Sequence, residues 1–182
     1  MKGLVFTEFL EMVEATFGDD MVDTLIDNTN PASGGAYTAV GSYPFSELEN
    51  MVVELSTQSK LSIDDLLQTF GAHLAKVFSQ KFASFFVEAG SAIAFFREID
   101  RHIHVEVKKL YPDAELPVFS FEEANDTTPF TLHYRSERNL HMLAYGLIKE
   151  TLTYYSQPHS IELEHWQENG QYHCKFALVP KD

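Results

Sequence analysis

"LHYRSERNL" (Leu132–Leu140) decides how the carboxy-terminal half of the chain is read. It alternates like a β-strand. Strand side chains have a period of two, so Leu132, Tyr134, Ser136 and Arg138 are expected on one face. A phenol, a hydroxyl and a guanidinium in one row call for an acceptor on that side. The planar fork of Arg suits carboxylate or phosphate. A ligand with two neighbouring carboxylates would satisfy all three groups. A solvated antiparallel face on which Arg138 pairs with a glutamate would give the same pattern.

Working outward, "RNLHMLAYGLIKETLTYY" (Arg138–Tyr155) has helical period, with Leu140, Leu143, Leu147 and Ile148 near one stripe. "HSIELEHW" (His159–Trp166) alternates and "QYHCKFALV" (Gln171–Val179) is strand-like. Asn169-Gly170 between them is a strong hairpin signal. Upstream, "PFTLHYRSE" (Pro129–Glu137) reads as a strand and "LPVFSF" (Leu116–Phe121) as a short extended segment.

Residues 1–111 are predicted to be mainly helical. Phe6, Phe9, Leu10, Val13 and Phe17 recur at helical spacing, and Gly18 can end that helix. A short helix over Met21–Ile26 follows, then the Gly-, Pro- and Ser-rich loop Asn28–Pro44. Ser46 and Glu49 form a capping-box pattern opening a helix over Glu47–Thr57, and Ser62 and Asp65 a second cap opening Ile63 to about Phe82. A further helix is predicted over Ala92–Leu110, ending at "YPD" (Tyr111–Asp113). Helices first and strands with one long helix afterwards make the class α+β.

Charge removes several function classes. The net charge is −14 and the isoelectric point about 4.8, which argues against nucleic acid and anionic membranes. Cys174 is the only cysteine, so an intramolecular disulfide and a Cys-rich zinc site are excluded. No run of apolar residues is long enough to span a bilayer. Glu8, Glu11 and Glu14 make the first segment an amphipathic helix, not a signal peptide. A cytoplasmic location is expected. No nucleophile-elbow, Walker A or dinucleotide-binding motif is present. Asn125-Asp126-Thr127 matches a glycosylation acceptor, which has no bearing on a cytoplasmic chain.

The chain has eight histidines. His102 and His104 do not share a helix face, so one ion cannot take both there. Ile93, Phe96, His104 and Val107 fall on one stripe, which sets His104 beside an apolar face. A neutral imidazole there is either a hydrogen-bonded core group or an axial ligand to iron. His133, His141, His159, His165 and His173 are scattered. His165, His173 and Cys174 flank the Asn169-Gly170 turn and could meet across strands, but their spacing matches no standard zinc pattern.

Taken together, "MKGLVF" (Met1–Phe6), "HVEVKKLYPDAELP" (His104–Pro117) and "YRSER" (Tyr134–Arg138) resemble the heme-nitric oxide/oxygen binding family, H-NOX, related to the heme domain of soluble guanylate cyclase. The resemblance runs over essentially the whole chain. It implies a helical subdomain over about residues 1–60, packed on an α+β subdomain over about 61–182 with an antiparallel sheet and heme b between the two. His104 takes the position of the proximal iron ligand, and Tyr134, Ser136 and Arg138 that of the propionate motif. Pro117 matches a proline that presses on the porphyrin. Val5, Phe70, Leu74, Phe78 and Leu147 are implied walls. The 15 Phe and 8 Tyr then have a use.

The resemblance also bears on gas selectivity. Oxygen-binding relatives place a tyrosine where this chain has Leu143, with further polar support where it has Phe9 and Leu74. Gly146 matches a family glycine and sets that register, although Tyr145 lies only two residues from Leu143. The implied protein is a five-coordinate ferrous heme sensor that binds NO and CO but not oxygen appreciably. NO would bind opposite His104 and break the iron–histidine bond. The resulting shift would regulate a histidine kinase or diguanylate cyclase in another chain, as in two-component signalling. It would not be an enzyme. The alternatives are a heme-free ligand-binding or scaffold domain of the same fold, and a metal-dependent enzyme using the histidines near Cys174. Some relatives carry a Cys-rich zinc site near the carboxy terminus. Here only Cys174 is present, with His141 and His165 as candidate neighbours, and no zinc site is assigned.

Overall fold

Four helices build the first half. α1 (Gly3–Phe17) buries Phe6, Phe9, Met12 and Val13 on one side and ends at Gly18, whose φ of 89° favours glycine. α2 (Asp19–Thr29) is longer than the predicted Met21–Ile26. Asp19 and Asp20 complement its amino terminus. α3 (Phe45–Ser59) starts at Phe45, because Pro44 with φ −57° already opens the helix. Ser46 therefore lies inside the first turn, and the Ser46–Glu49 capping box does not form. Glu47 turns inward, accepting hydrogen bonds from Ser33 Oγ at 2.7 Å and Tyr37 OH at 2.9 Å. It pins the Asn28–Pro44 loop. Burial, with Glu47 beside it, pushes the Tyr37 phenol up to about 12. α4 (Ile63–Lys81) starts as predicted: the Asp65 amide donates to Ser62 Oγ at 3.0 Å.

This computed structural model describes residues 1–126 and 128–181. Thr127 of the Asn125-Asp126-Thr127 acceptor lies outside the described residues.

The single helix predicted over Ala92–Leu110 is broken. A short α5 (Ala83–Ala89) precedes it, followed by α6 (Ala92–Arg97), a π-helical turn over Ile99–Ile103 and α7 (His104–Leu110). A π turn inserts one residue and rotates the succeeding helix by roughly 100° about its axis. It coincides with a long-range tie: Asp100 Oδ2 accepts the Phe119 amide at 2.8 Å.

The second half is a four-stranded antiparallel sheet in the order β1-β2-β4-β3. Its strands are β1 (Val118–Glu122), β2 (Phe130–Ser136), β3 (His159–Glu168) and β4 (Gln171–Pro180). Asn169 and Gly170, with φ of 50° and 75°, make the tight β3–β4 turn. α8 (His141–Tyr154) lies on the inner face, packing Ala144, Ile148 and Leu152 with Leu132, Tyr134, Cys174, Phe176 and Leu178. A separate core holds α1, α2 and α3 and takes Leu66, Leu67, Phe70 and Leu74 from α4. α4 and α8 meet backbone to backbone. A Cβ on Gly71 would sit 2.1 Å from the Leu143 carbonyl oxygen, and one on Gly146 2.1 Å from that of Gln68. Among the described residues no helix is long and apolar enough to cross a membrane.

Candidate functional site

An apolar cavity of about 300 Å³ lies where α1, α4, α7, α8 and the sheet converge, a size within the roughly 300–1,000 Å³ of ligand sites. α1 supplies Leu4 and Val5, α4 supplies Leu74 and Phe78, and α8 supplies Leu143 and Leu147. His104, Pro117 and Phe119 line it as well. Tyr134, Ser136 and Arg138 stand at one end. Phe9 and Phe70 are not among the lining residues. They pack edge-on against each other at 5.3 Å in the helical core.

His104 opens α7 directly after the π turn, with its ring 6.0 Å from that of Phe119. Its Nδ1 lies 2.7 Å from Asp100 Oδ1, at ion-pair distance but without the alignment of a hydrogen bond. A carboxylate at Nδ1 fixes the ring and leaves Nε2 for a metal, a common arrangement around ligating histidines. Asp100 was not anticipated. Its place four residues before His104 on a helix is the signal that could have found it. His102 points elsewhere, 3.8 Å from Glu98.

The Tyr134–Arg138 motif is not a row of three free donors. β2 ends at Ser136, so Arg138 lies in the turn after it. The Tyr134 hydroxyl donates to the Arg138 carbonyl at 3.0 Å, and Ser136 Oγ accepts the Arg138 amide at 3.1 Å. Burial raises the Tyr134 phenol above its ordinary value, so it remains a donor. Tyr134 and Ser136 thus hold the Arg138 backbone, while the guanidinium reaches Glu115 and lies 5.2 Å over the Phe45 ring. Glu115 was also missed by sequence reasoning. Arg138, Ser136 and Glu115 border a polar cleft of about 740 Å³ as well, so a carboxylate held by Arg138 would meet water.

Of the histidines that flank the β3–β4 turn, His165 and His173 do not converge. His165 pairs with Cys174 across β3 and β4, and His173 pairs with Trp166. Strand alternation puts these two pairs on opposite faces. His141 stacks on His165 at 4.5 Å, and His173 on Trp166 at 5.2 Å. Burial raises the Cys174 thiol to about 12, far from a reactive thiolate. Among the described residues no group of three or more His, Cys, Asp or Glu could hold a metal ion.

The donor set fits a flat apolar molecule with acidic groups at one edge and a metal at its centre. Hydrocarbon walls would take its faces, an imidazole its metal, and a guanidinium its carboxylates. A heme has that shape and those groups. The comparisons agree. The Haem-NO-binding family model matches residues 2–163. The crystal structure of an Fe(II) unliganded H-NOX protein from K. algicida superposes with a TM-score of 0.90 at 37% identity, covering 100% of this chain and 98% of that one. An oxygen-binding H-NOX domain related to soluble guanylate cyclases shares the fold at 19% identity and a TM-score of 0.83, covering 100% and 96% of the two chains. A comparison with curated proteins finds no significant match. The chain belongs to the H-NOX family. Its cofactor is heme, its ligands are diatomic gases, and it is a sensor domain, not an enzyme.

Proposed function

We infer that this domain senses nitric oxide through heme held by His104, and signals to a separate protein. The observation that supports the gas selectivity is the cavity wall that α4 and α8 supply. Leu74, Phe78, Leu143 and Leu147 line it with hydrocarbon, and the Thr151 hydroxyl beside them donates to the Leu147 carbonyl at 2.8 Å. Tyr145 is not among the lining residues; it packs on the sheet-side core. Bound oxygen draws negative charge and needs a donor, whereas NO on ferrous iron does not.

Within this reading each residue has a task. His104 Nε2 holds the iron, and Asp100 keeps the ring in place. Arg138 takes a propionate, fixed from behind by Tyr134 and Ser136. Pro117, Val5, Leu74, Phe78, Leu143 and Leu147 bound the porphyrin and exclude water, with Phe9 supporting them from the core. Bound there, the heme iron supplies the coordination site for the gas. His104 would tie that iron to α7, so loss of this tie on gas binding would leave α7 free to move. The bodies that shift are the helices of about residues 1–60 and the remainder. A histidine kinase or diguanylate cyclase in trans reads that shift, in the cytoplasm.

Spectra of the reduced protein under NO, CO and oxygen test this directly. NO and CO are expected to change the Soret band while oxygen leaves it unchanged; a stable oxygen complex contradicts the assignment. Leu143→Tyr is expected to create oxygen affinity. One hydrogen bond to a charged acceptor is worth about 1.5–3 kcal/mol, roughly ten- to a hundredfold in binding. Oxygen titration of that variant measures it.

A further inference from the structure

Lys2 precedes α1 and lines the cavity beside Tyr111, the residue that ends α7. Its ammonium donates to Asp113 Oδ1 at 2.8 Å and Oδ2 at 3.1 Å, to Ser42 Oγ at 3.0 Å and to the Val40 carbonyl at 3.2 Å. Ser42 Oγ donates in turn to Asp113 Oδ2 at 2.5 Å. The Lys2 side chain is only 14% exposed and lies 5.4 Å from the Tyr111 ring centroid. Its backbone pairs with Ser42 in an antiparallel bridge, beside the Gly3 amide donating to the Gly41 carbonyl at 2.8 Å. The start of α1 and the 38–42 loop are therefore one unit. Asp113 belongs to the segment between α7 and β1, whose Tyr111, Ala114, Leu116 and Pro117 line the cavity.

We propose that Lys2, Ser42 and Asp113 form a clasp between the amino-terminal helices and the Tyr111–Pro117 segment, and that its strength sets how readily His104 leaves the iron when NO binds. This rests on the sensor reading above. Release of His104 frees α7, and α7 runs straight into the segment that the clasp holds. A tight clasp resists that movement and a broken one permits it. The three residues act as positioning residues and touch neither gas nor iron. Lys2 holds the Asp113 carboxyl down at about 2, with Ser42 adding to the effect, so that carboxylate stays charged across the physiological range.

The test uses Lys2→Met, Asp113→Asn and the double variant, each loaded with heme. Hydrogen exchange is expected to quicken in residues 39–43 and 111–117 of all three. The NO-driven loss of the iron–histidine bond, followed by stopped flow, is expected to accelerate roughly two- to fivefold, the range for an ion pair of this exposure. The double variant should fall short of the sum of the single ones, because both substitutions remove the same Lys2–Asp113 pair. Unchanged exchange or rate in the variants, or additive effects in the double variant, overturns the clasp and leaves the sensor reading intact. An unaltered protein in which NO never displaces His104 overturns the sensor reading and the coupling with it, while the exchange arm still reads the contact.

Discussion

Replacing His104 with glycine is expected to leave the heme iron without a protein ligand. Partners one step removed from a metal ligand change metal affinity by about 10–100-fold, so deleting the ligand itself should weaken heme binding by at least about a hundredfold. Added imidazole should enter the space left beside Phe119 and restore the five-coordinate ferrous spectrum. A heme titration with and without imidazole measures both effects. A variant with the parent spectrum would remove His104 as the ligand and point to another group.

The second large effect is expected at the crossing of α4 and α8. An alanine in place of a helical glycine normally gains about 1 kcal/mol. At Gly146 the new Cβ would lie 2.1 Å from the Gln68 carbonyl oxygen, on helix backbone that cannot swing aside. Overpacking of this kind costs about 1–3 kcal/mol and sometimes more, so the sign reverses. Gly146→Ala is expected to lower the melting temperature by roughly 5 °C, since about 1 kcal/mol corresponds to 2–4 °C in a chain of this size. It should also disturb the cavity, because Leu143 and Leu147 flank the contact. Calorimetry decides it; an unchanged or higher melting temperature would mean that the helices separate without loss.

Where local chemistry decides, the fold was legible in the sequence. Ser62 caps α4, and Asn169-Gly170 turns the β3–β4 hairpin, because each acts on backbone within a few residues. Ser46 failed as a cap because Pro44 starts α3 first. The break before His104 was not legible, since the π turn goes with an Asp100 bond to Phe119 nineteen residues away. Most residues named from the chain line the cavity, Phe9 and Phe70 excepted, but their geometry was not legible in it. Alternation placed Tyr134, Ser136 and Arg138 on one face, yet β2 ends at Ser136 and the motif folds back on its own backbone. Of the three, Arg138 carries the charge, and its guanidinium is paired with Glu115, from a distant loop. Phe9 fits the family position but sits behind the cavity, against Phe70. Lys2 and Asp113 gave no signal, because only the tertiary fold brings them together.

The central claim is that NO separates His104 from the iron. The most direct measurement is the electron paramagnetic resonance spectrum of the reduced protein under NO, compared with that of protein carrying ¹⁵N-labelled histidine. Hyperfine splitting from the NO nitrogen alone, unchanged by the histidine label, is expected. A second splitting that changes with the label would show His104 still bound and would contradict that claim.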